Sequence, residues 1–382
     1  MQALAPYREA VDIIIEAGGE PLKLCYQCGL CSGTCPWNLV RSFLVRRMMH
    51  EAQLGLVDFE AEEAWLCTTC RLCVERCPRG VSIIDVMRAV RRAIVGIGIG
   101  PIPDSLRITM KNISALGNPL GEEREKRADW AEGLDVKAFT PETKLLYFPC
   151  CIPAYDPRGK KIARATATIL KKAEIDFGIL GAEEACCGES VRKAGNEDLF
   201  QNLARSNIAA FAEKGVRKIL ATSPHCYNTF NNEYHEVGGD FEVVHYTQYF
   251  AQLIKEGRLK FSKQLNKRVA YHDPCYLGRH NGIYDEPREV LESIPGLELV
   301  EMSNSRENSL CCGGGGGRIW METKKGERFS DLRIEQAIEA GAEVLVTACP
   351  YCILNFEDSV LTTDKGDILQ IRDISELVLE AI

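Results

Sequence analysis

Apolar positions change their period along the chain. Leu39, Val40, Phe43, Leu44 and Met48 recur three or four residues apart, and Ile83, Val86, Met87, Val90 and Ile94 repeat that spacing. No strand-like alternation competes, so both stretches predict amphipathic helices. Gly96, Gly98, Gly100, Pro101 and Pro103 end the pattern, as helix breakers do. Asn118-Pro119 and the charged residues 122–129 lead on to Trp130, which predicts a partly helical, mostly surface linker. Beyond Lys144, Ile219-Leu220 and Val344-Leu345-Val346 are short apolar runs. They predict buried parallel strands, and the helical patterns Leu199–Lys214 and Leu332–Ala340 precede them.

This second region appears twice. Cys151 matches Cys275, Cys186-Cys187-Gly188 matches Cys311-Cys312-Gly313, and Ser223-Pro224-His225-Cys226 matches Cys349-Pro350-Tyr351-Cys352, at a nearly constant offset of about 125 residues. Strand, motif loop and helix recur in order. Each half therefore reads as an α/β unit with cysteines on loops at strand ends, where open α/β sheets bind ligands.

Composition narrows the chemistry. The net charge is −8 with 26% charged residues, which argues against a protein built to neutralise nucleic-acid phosphates. No apolar run approaches the roughly 20 residues that span a bilayer, and residues 1–19 show no secretory signal pattern. The 18 cysteines are the anomaly, because disulfides are rare where thiols are kept reduced.

Eight of them form two runs. Cys25, Cys28, Cys31 and Cys35 precede Pro36, and Cys67, Cys70, Cys73 and Cys77 precede Pro78. Each run reads C-x2-C-x2-C-x3-C-P, the spacing of two-cluster bacterial ferredoxins. Three closely spaced thiolates wrap one cubane, while the fourth points away and proline keeps it from closing back. The expected ligation is crossed: Cys25, Cys28, Cys31 and Cys77 on one [4Fe–4S] cluster, Cys67, Cys70, Cys73 and Cys35 on the other. Two zinc sites would ordinarily show C-x2-C knuckles separated by a longer loop. No C-x2-C is followed by histidine, which excludes covalent haem. The predicted helices between and after the runs resemble the helical ferredoxin type of respiratory iron–sulfur subunits.

The doubled cysteine pattern, with His272 through Arg279, Arg306-Glu307-Asn308 and Gly313 through Gly317, resembles the cysteine-rich CCG domain of the heterodisulfide reductase family. A ferredoxin module ahead of two such domains is similar to the D-type catalytic subunit, and to the iron–sulfur subunits of glycolate oxidase and anaerobic glycerol-3-phosphate dehydrogenase. The resemblance implies an α+β chain: an all-helical ferredoxin-type domain (1–100), a linker (101–143), and two repeated α/β CCG domains (144–264 and 265–382). It also implies that an intact half carries five thiolates around a noncubane [4Fe–4S] cluster. The second half matches in full with Cys275, Cys311, Cys312, Cys349 and Cys352, the candidate catalytic, substrate-facing and terminal set. The first half matches with Cys151, Cys186, Cys187 and Cys226, but Ser223 stands where a cysteine is expected. Its further cluster can be a cubane, a modified noncubane or a smaller one. Cys150 is available as a substitute, although its side chain is expected to point elsewhere.

Gly313 through Gly317 read either as a flexible hinge or as a nest of N–H groups around cluster sulfur, with Gly313, Gly314 and Gly315 the candidate donors. His225, His272 and His280 adjoin the cysteine motifs as proton carriers or structural donors. Arg41, Arg46, Arg47, Arg88, Arg91 and Arg92 read either as a solvated face or as a docking surface. No dinucleotide fingerprint is visible, so a flavin belongs on another subunit. The resemblance implies an electron-transfer oxidoreductase subunit, cytoplasmic or peripheral at the inner membrane face. Its implied partners are a flavoprotein, such as electron-transferring flavoprotein or a flavin reductase, or a membrane cytochrome or quinone subunit. A disulfide-reducing enzyme and a structural zinc protein are the competing readings.

Overall fold

A computed structural model describes residues 5–382. Among these, the strands form two four-stranded, wholly parallel sheets. The first contains β1 (Leu145–Phe148), β2 (Phe177–Gly178), β3 (Lys218–Ala221) and β4 (Glu242–His245) in the order β2-β1-β3-β4. The second contains β5 (Lys267–His272), β6 (Leu297–Val300), β7 (Val344–Thr347) and β8 (Gln370–Asp373) in the equivalent order β6-β5-β7-β8. Leu146 lies opposite Ile219 in one sheet, and Ala270 lies opposite Leu345 in the other. The sheet order reverses between β1 and β3, and between β5 and β7. Ligand crevices open at the carboxyl ends of such strand pairs, and all ten cysteines of this region lie on loops or helix starts facing those two crevices.

The N-terminal region is helical. The helix Ile83–Ile97 buries Ile83, Val86, Met87, Val90 and Ile94, as its spacing predicts, and stops at Gly98 in the left-handed region. The expected continuous helix through residues 39–48 is not formed. Pro36–Leu39 makes a short turn and Val45–Leu54 starts a separate helix. Asn38 holds the break open, accepting from Phe43 N–H at 2.9 Å and donating to Phe43 O at 2.8 Å.

The stretch 101–143 is partly helical, with the helix Asp104–Leu116, and buries Asn118, Arg127 and Trp130. One other expectation is corrected: the six arginines do not form one basic face. Arg91 is fully buried and donates to the carbonyls of Ala64, Cys67, Lys193 and Gly316 at 2.8–2.9 Å. Arg92 donates to Ala17 O and pairs with Glu197, and Arg41, Arg47 and Arg88 are each paired with carboxylates. A guanidinium in the interior is retained only where acceptors surround it, and Arg91 meets that condition by tying the ferredoxin region to both halves of the repeat. The apolar core is likewise shared: Ile14, Trp37, Met87 and Ile94 belong to the same cluster as Phe148, Phe200 and Phe329.

Candidate metal centres

The ferredoxin-type cysteines come together in crossed sets. Cys25, Cys28, Cys31 and Cys77 line one cavity, and Cys35, Cys67, Cys70 and Cys73 line another. Backbone N–H groups aim at the sulfurs, Val81 to Cys77 and Thr69 to Cys67, both at 3.4 Å. The first set includes the exposed Cys28, whereas the second has no exposed member and adjoins Cys311 through Cys70. The first set is therefore the outer one and the second the inner one.

In the second half, β5 delivers Cys275 and β7 delivers Cys349 and Cys352, and the loop between them brings Cys311 and Cys312. Their thiols neighbour one another in sequence: Cys275 and Cys311, Cys311 and Cys312, Cys312 and Cys352, and Cys352 and Cys349. The Cys312 and Cys352 sulfurs are 3.3 Å apart. Gly313 N–H lies 3.3 Å from Cys311 Sγ and Gly314 N–H lies 3.5 Å from Cys312 Sγ. Gly315 and Gly316 meet a further constraint. A Cβ on Gly315 would lie 2.3 Å from Thr68 O, and one on Gly316 would lie 2.3 Å from Cys67 O. These two glycines let the inner ferredoxin loop approach backbone to backbone. His272 places a ring nitrogen within 4.8 Å of Cys312 and Cys352. Burial and the neighbouring Arg333, whose Nε donates to His272 Nδ1 at 3.2 Å, keep that imidazole neutral.

In the first half, Cys151 touches Cys186, Cys186 touches Cys187, and Cys187 lies 3.4 Å from Cys226. Gly188 N–H donates to Cys186 Sγ at 3.4 Å. Cys150 departs from expectation: its side chain lines the same cavity as Cys151, Cys186, Cys187 and Cys226, and its sulfur accepts Ser223 N–H at 3.3 Å. Sequence reasoning missed Arg127, which has no local signature. Its guanidinium is buried, pairs with Glu184, and lies 3.6 and 3.7 Å from Cys151 Sγ. The Glu184 and Cys151 charges hold it ionised against the cost of burial.

The sites adjoin one another. Hydrogen bonding to Cys311, together with burial, pushes the Cys70 thiol well above its ordinary value, so the inner ferredoxin set abuts the second half. His225, from the first half, bonds Glu189 at 3.0 Å and reaches Cys349 of the second. Burial opposes ionisation of Cys349, but Cys352 and His225 pull its thiol down to about 5. The His225 ring packs against Tyr276 and Tyr351, with centroids 4.1 and 4.5 Å away, and His280 stacks on Tyr276 at 4.0 Å. The second-half thiols thus adjoin the inner ferredoxin set at Cys70 and the first half at His225. A cavity of about 440 Å³ is lined by Cys312 and Gly313 together with Trp37, Arg318, Trp320 and Phe329. Grouped thiols with N–H donors aimed at sulfur fit iron–sulfur clusters, whose potentials depend on such donors.

Comparison with known proteins agrees with this chemistry. The family described as cysteine-rich domain matches residues 145–231 and 269–357, and the 4Fe-4S dicluster domain matches residues 21–81. The chain is 39% identical over 330 residues to the probable iron-sulfur-binding oxidoreductase FadF of Bacillus subtilis, covering 84% of this chain and 47% of that protein. It is 37% identical over 336 residues to the EtfAB:quinone oxidoreductase of Syntrophomonas wolfei, covering 84% and 47%. It is 36% identical over 322 residues to the D-type subunit of the dihydromethanophenazine:CoB--CoM heterodisulfide reductase of Methanosarcina barkeri, covering 83% and 77%. The chain spans about half the length of the first two relatives.

Proposed function

Because the chain belongs to the cysteine-rich iron–sulfur oxidoreductase family that includes the D-type subunit of heterodisulfide reductase, we propose that it is an electron-relay subunit of an oxidoreductase complex. The observation that carries this reading is the continuous line of thiol sites. It runs from exposed Cys28, through the inner set at Cys70, to Cys311 and Cys349, and across His225 to the first half. Bound iron–sulfur clusters supply one-electron transfer at these sites.

The ligands proposed are the two crossed cysteine sets for [4Fe–4S] cubanes, and Cys275, Cys311, Cys312, Cys349 and Cys352 for a noncubane [4Fe–4S] cluster. Cys151, Cys186, Cys187 and Cys226 take a further cluster. In these roles the thiolates bind metal and are not nucleophiles. Arg127 places positive charge beside Cys151, and Arg279 places it beside Cys70 and Cys275. Gly313 and Gly314 supply N–H groups to the second-half sulfurs. The proposed partner is a flavoprotein, in keeping with the name of the Syntrophomonas relative, or a membrane quinone or cytochrome subunit. No helix among the described residues is long and apolar enough to cross a membrane. The proposed location is the cytoplasmic side, with any membrane attachment made through the partner.

Anaerobic purification with partners retained tests the reading. Iron with matching acid-labile sulfide and a co-purifying redox subunit support it. Zinc at about one per four cysteines without sulfide overturns it.

The cavity at Cys312 favours a second reading, direct reduction of a disulfide at the second half. Added disulfide then perturbs the EPR spectrum of that site, and an unchanged spectrum leaves the relay role alone.

A further inference from the structure

We propose that Cys150 is the fifth thiolate of the first-half site, standing in for the cysteine that Ser223 replaces. This rests on the reading above that the first half binds a cluster.

The order of sulfur contacts is the first argument. In the second half the thiols neighbour one another in the order Cys275, Cys311, Cys312, Cys352, Cys349, with Cys312 and Cys352 3.3 Å apart. In the first half the order is Cys151, Cys186, Cys187, Cys226, Cys150. Cys150 closes one series where Cys349 closes the other, although the two residues lie on loops after different strands of their sheets.

The backbone is the second. Cys150 has φ +73° and ψ 169°, a region that costs a non-glycine residue on the order of 1–3 kcal/mol. Successive side chains leaving a strand point to opposite sides, so an extended Cys150 would turn away from the site that Cys151 enters. The positive φ brings both sulfurs into one cavity with Cys186, Cys187 and Cys226.

The third is what Ser223 does instead. Its hydroxyl accepts His225 N–H at 3.3 Å as a helix cap, and its own N–H donates to Cys150 Sγ. The counterpart Cys349 makes no cap bond, and Pro274, the counterpart of Cys150, has no thiol to offer. The substitutions are reciprocal: a thiol at 150 goes with a hydroxyl at 223, and proline at 274 goes with a thiol at 349. On assembly Cys150 gives up its proton to solvent and binds iron as thiolate.

The test uses the full chain, purified anaerobically, with iron, sulfide and EPR measured on wild type, C150S, C226S and C150S/S223C. C150S is expected to lose the first-half signal, with up to about a quarter of the iron. C226S is expected to lose the same signal, and S223C in the double variant to restore what C150S removes. A C150S protein with wild-type iron and spectrum, beside a C226S protein that has lost the signal, overturns the assignment of Cys150 and leaves the first-half site intact. C150S and C226S both matching wild type would remove the first-half cluster and the proposal together. Failure of S223C to restore the signal overturns the substitution as well, since Cys150 would then support the fold alone.

Discussion

Arg279 donates from Nε to the carbonyl oxygen of Cys70 at 2.7 Å, joining the second cysteine-rich half to the inner ferredoxin loop. Its Nη1 also holds Ser309 O at 2.7 Å and Glu307 O at 3.2 Å. One side chain thus fixes the spacing of two neighbouring sites and places positive charge beside both. Arg279→Met leaves buried carbonyls unpaired, and we expect a loss of about 2–4 kcal/mol in anaerobic denaturation. The inner ferredoxin midpoint should also move negative in a redox titration. Arg279→Lys should recover part of the potential shift but little of the stability, because an ammonium cannot reproduce the planar fork.

Arg127 plays the corresponding part in the first half. Arg127→Met leaves Glu184 buried without its partner, at an expected cost of roughly 3–5 kcal/mol. Arg127→Met/Glu184→Gln should recover most of that stability. The first-half midpoint should stay displaced to negative values in both variants, because the charge beside Cys151 is gone in both. A double variant with a wild-type midpoint would separate Arg127 from the electrostatics of the site.

Asp373 ties the two halves together away from the metal sites. Its carboxylate accepts the Tyr246 hydroxyl at 2.9 and 3.0 Å and caps the last helix through Ser375 N–H at 2.9 Å. Burial dominates these bonds and raises its pKa to about 7, against an unfolded value of about 4. The folded chain holds this proton more tightly. The stabilisation is complete below about pH 4 and is lost as pH rises toward 7, by up to about 1.4 kcal/mol per pH unit. Asp373→Asn should flatten the pH 5.5–7 part of the stability profile, measured against wild type in anaerobic denaturation. A profile as steep as wild type would assign the slope to another group.

The outer ferredoxin set should lose metal first. Cys28 is exposed, while the ten cysteines of the two halves are all buried. A chelator time course followed by iron release and EPR should show the outer signal decaying before the rest. Because Met49 and Ile83, which line the outer cavity, share a core with Phe148 and Phe200, that loss should loosen the first cysteine-rich half as well, and limited proteolysis would detect it.

Where function is written in local spacing, the sequence was readable. The two ferredoxin runs, the doubled cysteine order and the strand-loop-helix rhythm all follow from residues close in sequence, and Ser223 marked the irregular half. What escaped depends on partners far along the chain. Arg91 looked like a surface charge because nothing near it reveals four carbonyls drawn from Ala64, Cys67, Lys193 and Gly316. Arg127 looked like linker, since its value lies in Glu184 and Cys151. The direction of Cys150 turned on a single positive φ, which no side-chain pattern encodes. Gly315 was grouped with its neighbours as a nest, although its missing Cβ makes room for Thr68.

The two halves also exchange residues. Tyr351 of the second half walls the first-half cavity and shares a hydrogen bond with Ser190 at 3.1 Å, while His225 of the first half reaches Cys349 of the second. These two residues occupy equivalent places in the repeat and face each other across it. The duplication is therefore no longer severable. Excising either copy would leave the other with an open wall and an unanswered polar group, so the ancestral unit can be recognised in the chain but not recovered from it.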